Sequence, residues 1–547
     1  MGIFGRRGKL VAGLTALALA GCVKQDIIMQ VPQQYRIDVE KAFQEAGQNA
    51  SELRDTLEEF RSDKEKLEAA SFLVSETSRR MHRRHPVDWT WDLAHKDYTE
   101  IPDAHVVKSE DLIDNINWAF VARDRFPWAK ELYDRDRPLF FSGVLPYRLG
   151  TASLEQLPGI NGHWRAMLLD EKVFDEIKQK YGLKMEFSVV SAKLDEIVDA
   201  YRSAQTIPQK DAALARFMEF VEIDFMAGEG LRYFPRGPEE KTLGNFLTPD
   251  VKDGQVRRGG RCTDGDNNSR YLYMGVGIPT SSIRFIAWPN GDDNHEVIRI
   301  LLPGEPFDMS TCIFSDRAQD VKYVPGKVGK VYEERWGTRD VSSELVWNLN
   351  EGEKLPWYIG FYLRTRSTID VTDRYGPTGD IKIETSRPGQ LIYLGVMNNN
   401  SDTQLGTATI AIDRANETGL AEFNKVGNDG IFYIPYTYDE LNGGQNARAV
   451  GLPFVLRRDG SERRFGSGIN TTSFPSTLND LERGRNYELL RFSGEGWILR
   501  SKINGGNDGT ADVNLSNSAV YVLRSQDNGK PKYSRPFALT EGKVERF

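Results

Sequence analysis

The stretch RRGGRCTDGDNNSRYLYMGVGIP, residues 257–279, sets one of only three cysteines in a 547-residue chain between glycines and carboxylates. A structural thiol belongs in an apolar run, whereas Cys262 follows Gly259, Gly260 and Arg261 and precedes Thr263, Asp264 and Asp266. The residues after it predict a helix to about Met274, ended by Gly275 and Gly277 and followed by Ile278-Pro279. A helix starting at or just after Cys262 turns free N–H groups and the positive end of its dipole toward the sulfur, which favours a thiolate and offers donors to an oxyanion. Asp264 and Asp266 act the other way. A thiolate nucleophile here needs a histidine.

Downstream, SSIRFIAWPN (281–290), a turn at Gly291-Asp292-Asp293 and NHEVIRILLPGEPFDMST (294–311) read as strand, turn, strand, tight turn, strand. His295 begins the second of these strands and Asp308 lies in the third. An imidazole beside a thiolate serves as general base and then as acid to the leaving amine, and a carboxylate on its far nitrogen sets the tautomer. Helix-Cys, strand-His, strand-Asp is the order such a triad requires. Two registers are open. A turn symmetric about Pro303-Gly304 puts Asp308 opposite Arg299, about 13 Å along the strand from His295, and puts Cys312 opposite His295. A turn centred on Leu301-Leu302, or a bulge, pairs Asp308 with His295.

The start of the chain, MGIFGRRGKLVAGLTALALAGC, has a basic segment (Arg6, Arg7, Lys9) and an apolar run from Leu10 to Ala20. That run is far shorter than the ~20 residues that span a bilayer, so residues 1–21 read as an export signal. The Leu-Ala-Gly-Cys ending resembles the bacterial lipobox, which implies cleavage before Cys22 and lipid attachment to it. Residues 22–34 then form an anchor and tether, and the expected location is the cell envelope. Losing the three basic residues takes the net charge from −8 to −11, so nucleic acid is not an expected partner. In an oxidising compartment the two remaining cysteines, Cys262 and Cys312, have a disulfide as their alternative role.

Along the chain, residues 35–140 read as a helical region. Asn49 with Glu52, and Ser62 with Glu65, have the spacing of capping boxes before the stripes Leu53, Leu57, Phe60 and Leu67, Ala70, Val74. Residues 141–375 form the central core, with amphipathic runs EKVFDEIKQKYG and SAKLDEIVDAYRSA. From about residue 380 the pattern alternates, as in QLIYLGVMN, GTATIAIDRA and GIFYIPYTYDE, and predicts an antiparallel β-sandwich over 376–465. Residues 466–480 read as a linker and 481–547 as a smaller β domain. No internal repeat stands out. The fold class is α+β and multidomain.

The pattern Gly260-Arg261-Cys262, a helix, Gly277-Ile278-Pro279, a strand with His295 and a strand with Asp308 resembles the transglutaminase-like superfamily, whose core is papain-like. The wider landmarks, among them EKAFQEAGQNASELRDTLEEF, LPYR, DVTDRY (370–375), FYIPYTY and YELLRFSGEGWILR, resemble multidomain transglutaminase-like lipoproteins of the Bacteroidetes type. The resemblance implies Cys262 as nucleophile, His295 as base and Asp308 as orienter, acting on peptide, glutamine or glycan-asparagine amides with no cofactor or metal. RGGRC is also similar to the opening of peptide N-glycanases. Gln255 resembles the oxyanion-hole glutamine that papain-like enzymes place before their cysteine. The sequence departs from the pattern after His295, where relatives usually carry an aromatic residue and this chain has Glu296. Expected partners are a protein, peptide or glycoconjugate substrate and, through the anchor, a membrane. The alternative is a non-catalytic surface scaffold whose β-sandwiches bind a glycan or protein, with Trp288, Trp336 or Trp347 stacking on sugars.

Overall fold

The computed structural model describes residues 27–80, 108–145, 167–181, 183–227, 231–233, 250–252, 255–260, 269–289 without 271, 295–301, 307–309, 327–335, 368–399, 403–438, 446–466, 472–527 and 530–547, with a few isolated positions between 345 and 401. The signal segment, Cys22, Cys262, Cys312, Trp336 and Trp347 lie outside the described residues. The chain is α+β: helices occupy its first part and antiparallel sheets its last.

The predicted stripes form. Leu53 and Leu57 on helix Ala50–Glu59, Phe60 at its C-cap, and Leu67, Ala70 and Val74 on helix Lys64–Arg80, are all buried. The caps are different from the two boxes. Asn49 ends a 3₁₀ turn at φ −81°, ψ 0°, so its side chain makes no cap bond. Glu52 instead reaches across the bundle, and its carboxylate accepts the Ser109 N–H at 2.8 Å, at the start of helix Ser109–Arg125. At the next helix the cap is Asp63, whose Oδ1 accepts the N–H groups of Glu65 and Lys66, and not Ser62.

Packing does not divide the chain at residue 140. One apolar core runs from Ile27 through Trp128, Phe141, Leu194 and Phe217 to Tyr273, Val276, Ile298 and Ile300. The two amphipathic runs appear in it as helices Glu171–Tyr181 and Phe187–Ser203. Helix Ile207–Glu219 carries a full capping box from Thr206 and Gln209.

Three short strands, β1 (Leu231–Tyr233), β2 (Asp250–Lys252) and β3 (Gln255–Gly260), make a small sheet in the order β1-β3-β2. The main sheet of this region has five: β4 (Thr280–Phe285), β5 (His295–Ile300), β6 (Phe307–Met309), β7 (Val331–Glu334) and β8 (Thr368–Asp370), in the order β6-β5-β4-β7-β8. Ile298 and Ile300 on one face of β5 join the helical core. Val297 on the other face packs with Ile283, Phe285, Val331 and Val371.

The strands expected beyond residue 376 are present. Those of residues 378–464 form a six-stranded sheet and a two-stranded one, and the same holds for residues 473–546. Part of the expected linker is strand: Ser473–Leu478 pairs along its length with Ala511–Ser516. Its sequence lacks strong alternation because it is exposed over most of its length.

Candidate functional site

The site is built outward from the turn that follows the cysteine segment. Residues 272–275 are helical, and the helix stops at Gly277, where φ is +75°. The Gly277 N–H donates to Met274 O at 3.0 Å and the Ile278 N–H to Tyr273 O at 2.9 Å, the paired bonds of a Schellman stop. Glycine is required for the φ and for space, because a Cβ there would overlap Ala129. Trp128 Nε1 donates to Val276 O at 2.8 Å, and Pro279 packs on Gly143, where there is no room for a Cβ. The Gly-Ile-Pro turn is thus clamped by the helices at 127–144 and starts β4 in a set place.

β4 and β5 are antiparallel with Phe285 opposite His295 and Thr280 opposite Ile300. His295 is half-buried at the sheet's end, and its ring lies 6.5 Å from that of Phe285 at an interplanar angle of 27°. Phe285 also stacks on Trp288 at 5.0 Å and meets Tyr375 edge-on at 5.1 Å. The imidazole thus lies beside Phe285, which Trp288 and Tyr375 hold in place. Trp288, partly buried, belongs to this packing.

Asp308 lies on β6 and Gln255 on β3. β5 and β6 pair Ile298 with Met309, Arg299 with Asp308 and Ile300 with Phe307. This is the symmetric of the two registers, and it leaves Asp308 four residues along the sheet from His295, about 13 Å at ~3.3 Å per residue. An orienting hydrogen bond does not span that distance. Gln255 and Gly260 stand at opposite ends of β3, about 17 Å apart by the same rise. Cys262 lies outside the described residues, so the expected part of Gln255 beside it falls there too.

Buried charge occupies both faces of the sheet. Glu296 points opposite to His295; it accepts from the Ser282 hydroxyl and from Arg284 Nε at 3.4 Å, while Arg284 also bridges to Glu334. All three ions are buried, with Arg284 2% and Glu296 1% exposed. Glu296, directly after His295, thus belongs to a buried ionic cluster. On the His295 face Glu333 accepts from Ser281 at 2.7 Å, Arg299 at 3.5 Å and Arg374 at 2.8 Å. The signal for both clusters was visible: Arg284, Glu296 and Arg299 interrupt runs otherwise fit for a core.

The DVTDRY segment has a structural part. Asp370 bridges to the buried Lys330, and its Oδ1 accepts the Thr372 N–H at 3.0 Å and hydroxyl at 2.6 Å. Thr372 Oγ1 takes the Val331 N–H at 3.0 Å, and Lys330 Nζ donates to Asn424 O at 2.6 Å. The motif fastens β7 to β8 and the sheet to the first β unit. Among the described residues no group of His, Cys, Asp and Glu side chains is arranged to hold a metal ion, and no helix is long and apolar enough to cross a membrane.

No family model matches the chain, and no curated protein matches it. Among solved structures, a tetra-tandem repeat in the extending region of a large adhesion protein is similar at 9% identity, over 47% of this chain and 65% of that one. Its TM-score is 0.11, at which the likeness carries no argument.

Proposed function

We propose that the chain is a cell-envelope lipoprotein, anchored at Cys22, whose central region is a transglutaminase-like cysteine hydrolase or acyltransferase acting on amide bonds. Cys262 is the nucleophile and His295 its base. The thiolate attacks the amide carbonyl, the imidazolium returns its proton to the departing amine as the C–N bond breaks, and water or a second amine then cleaves the thioester. The observation that carries this reading is His295 at the first position of β5, half-buried and held against Phe285, on the strand pair that follows the clamped Gly-Ile-Pro turn. Asp308 has no part in it, since its strand position is Arg299's and not that of His295.

The same register favours a second reading, a non-catalytic scaffold in which Cys262 is tied in a disulfide to Cys312. One experiment separates them. The mature protein is treated with a thiol-alkylating reagent at neutral pH, before and after reduction, and the label is located. Rapid labelling at Cys262 that slows sharply in His295→Ala supports the enzyme. Labelling only after reduction supports the scaffold.

A further inference from the structure

We infer that residues 378–465 and 473–547 are two copies of one eight-strand module, and that each copy binds the other through the same surface, about a pseudo-two-fold axis. The partner that this surface fits is a second copy of itself. The inference is independent of the catalytic reading.

Topology carries the first half. In chain order the strands of the first module are Thr378–Glu384, Leu391–Met397, Thr407–Arg414, Leu420–Gly427, Ile431–Tyr438, Ala447–Ala449, Phe454–Leu456 and Glu462–Arg464. Those of the second are Ser473–Leu478, Asn486–Phe492, Trp497–Asn504, Ala511–Ser516, Val520–Asp527, Lys530–Tyr533, Phe537–Thr540 and Lys543–Arg546. In both, the first strand pairs with the fourth in a two-stranded sheet. In both, the other six form one sheet in the order third, second, fifth, seventh, eighth, with the sixth on the fifth.

Details below the level of topology also agree. The second strand pairs with the third through a bulge after its fourth residue, at Leu394/Gly395 in one module and Leu489/Leu490 in the other. The extra residue is Ile410 in the first and Arg500 in the second. Across the fifth and seventh strands Tyr433 opposes Phe454 as Tyr521 opposes Phe537. Each of these tyrosine hydroxyls bonds the backbone at the last residue of its module's fourth strand, Gly427 O at 2.6 Å and Ser516 N at 2.9 Å. The closing hairpins keep a likeness in sequence, PFVLRRDGSERRF (453–465) and PFALTEGKVERF (536–547). Each ends with a bond from the last phenylalanine N–H to its proline carbonyl, Phe465 to Pro453 at 2.9 Å and Phe547 to Pro536 at 3.0 Å.

The contacts between modules carry the second half, because they join equivalent positions. Arg463 and Glu545 hold the same place, opposite Val455 and Ala538 respectively, and they form an ion pair at 2.6 Å. Phe465 and Phe547, also equivalent, meet with ring centroids 5.3 Å apart. Ala449 and Tyr533 are equivalent through their partners Tyr436 and Arg524. Each bonds the other module's turn between second and third strands: Ala449 N–H to Glu495 O at 3.3 Å, and Tyr533 N–H to Asn399 Oδ1 at 2.8 Å. Residue i touching j while j's equivalent touches i's is the mark of an isologous, two-fold interface.

The copies have diverged where their surroundings differ. The first module's third strand is buried from Thr407 to Ile412, and Ile410 O accepts the Tyr332 hydroxyl of the core sheet. The equivalent strand of the second module is mostly exposed, with Leu499 51% exposed and Arg500 in the place of Ile410.

The test exchanges the two hairpins, 453–465 and 536–547, in the full chain. If the axis exists, the double exchange re-forms the Arg–Glu pair, the Thr540 contact of Arg463 and the Phe–Phe contact with sides reversed, and thermal unfolding stays within about 5 °C of the parent. Chains carrying the 453–465 hairpin at both sites, or the 536–547 hairpin at both, oppose like charges and unfold at clearly lower temperature than the double exchange. A double exchange no more stable than those two chains overturns the proposal. Phe465→Ala, Phe547→Ala and the double variant provide the second measurement: similar, non-additive losses are expected, and additive ones count against the axis.

Discussion

Asp308 stands across from Arg299 on neighbouring strands, four residues from the position that faces His295. The register of β5 against β6 therefore decides which residue faces His295, and it pairs Asp308 with Arg299. Asp308→Asn is expected to leave both the alkylation rate of Cys262 and amide turnover within about 10-fold of the parent. On the proposed reading of His295 as the base of Cys262, His295→Ala should lose about 10²–10⁴ in turnover. Stopped alkylation kinetics on the two variants checks this; a loss in Asp308→Asn as large as in His295→Ala would restore the triad.

The buried cluster of Arg284, Glu296 and Glu334 is expected to matter for stability rather than chemistry. Arg284→Met removes the cation that both carboxylates face and should cost about 3–5 kcal/mol, because each is then a buried charge lacking that neighbour. Arg284→Met combined with Glu296→Gln and Glu334→Gln should recover much of the loss. Urea unfolding of the full chain measures both, and equal losses in the single and triple variants would contradict the cluster's account.

Gly277→Ala should destabilise by about 1–3 kcal/mol, through the left-handed φ and the overlap with Ala129. Ala129→Gly in the same chain opens the space but leaves the φ, so it should return only part of the loss. Full recovery would show that crowding alone sets the glycine.

Glu52 predicts a pH dependence. Its carboxylate is held below the usual range, chiefly by the Ser109 N–H that it accepts. A depressed carboxylate contributes stability that is present above its unfolded pKa and is lost as pH falls through the lower, folded one. Glu52→Gln should therefore lower the unfolding midpoint at neutral pH, and the gap to the parent should close below the normal carboxylate range. A gap that stays constant down to acid pH would remove Glu52 from this role.

Much of the architecture was legible in local pattern. The stripes Leu53, Leu57, Phe60 and Leu67, Ala70, Val74 are buried because a 3.6-residue period leaves a helix one face to bury. The strands from 378 to 464 alternate because a pleated strand does. Gly277 announces a helix stop because few residues adopt its φ.

The caps were half legible. Glu52 and Glu65 stand in the first turns of their helices, as the spacing predicts, but the choice of donor belongs to tertiary packing. Ser109 lies 57 residues away from Glu52, and no local spacing encodes that.

The site divides in the same way. His295 at the head of a strand and the Gly-Ile-Pro turn could be read from residues 277–300, because turn and strand are set by neighbours in sequence. The pairing of Asp308 with Arg299, the burial of Glu296 beside Arg284 and Glu334, and the meeting of Arg463 with Glu545 were decided only when the chain folded back on itself. Each depends on a register or an interface, and in a sheet a shift of one or two residues exchanges one set of partners for another at small local cost. The duplicated modules are the extreme case. What they share is backbone pairing, which many apolar sequences satisfy, so the likeness survived in the strand order while almost all of it left the letters.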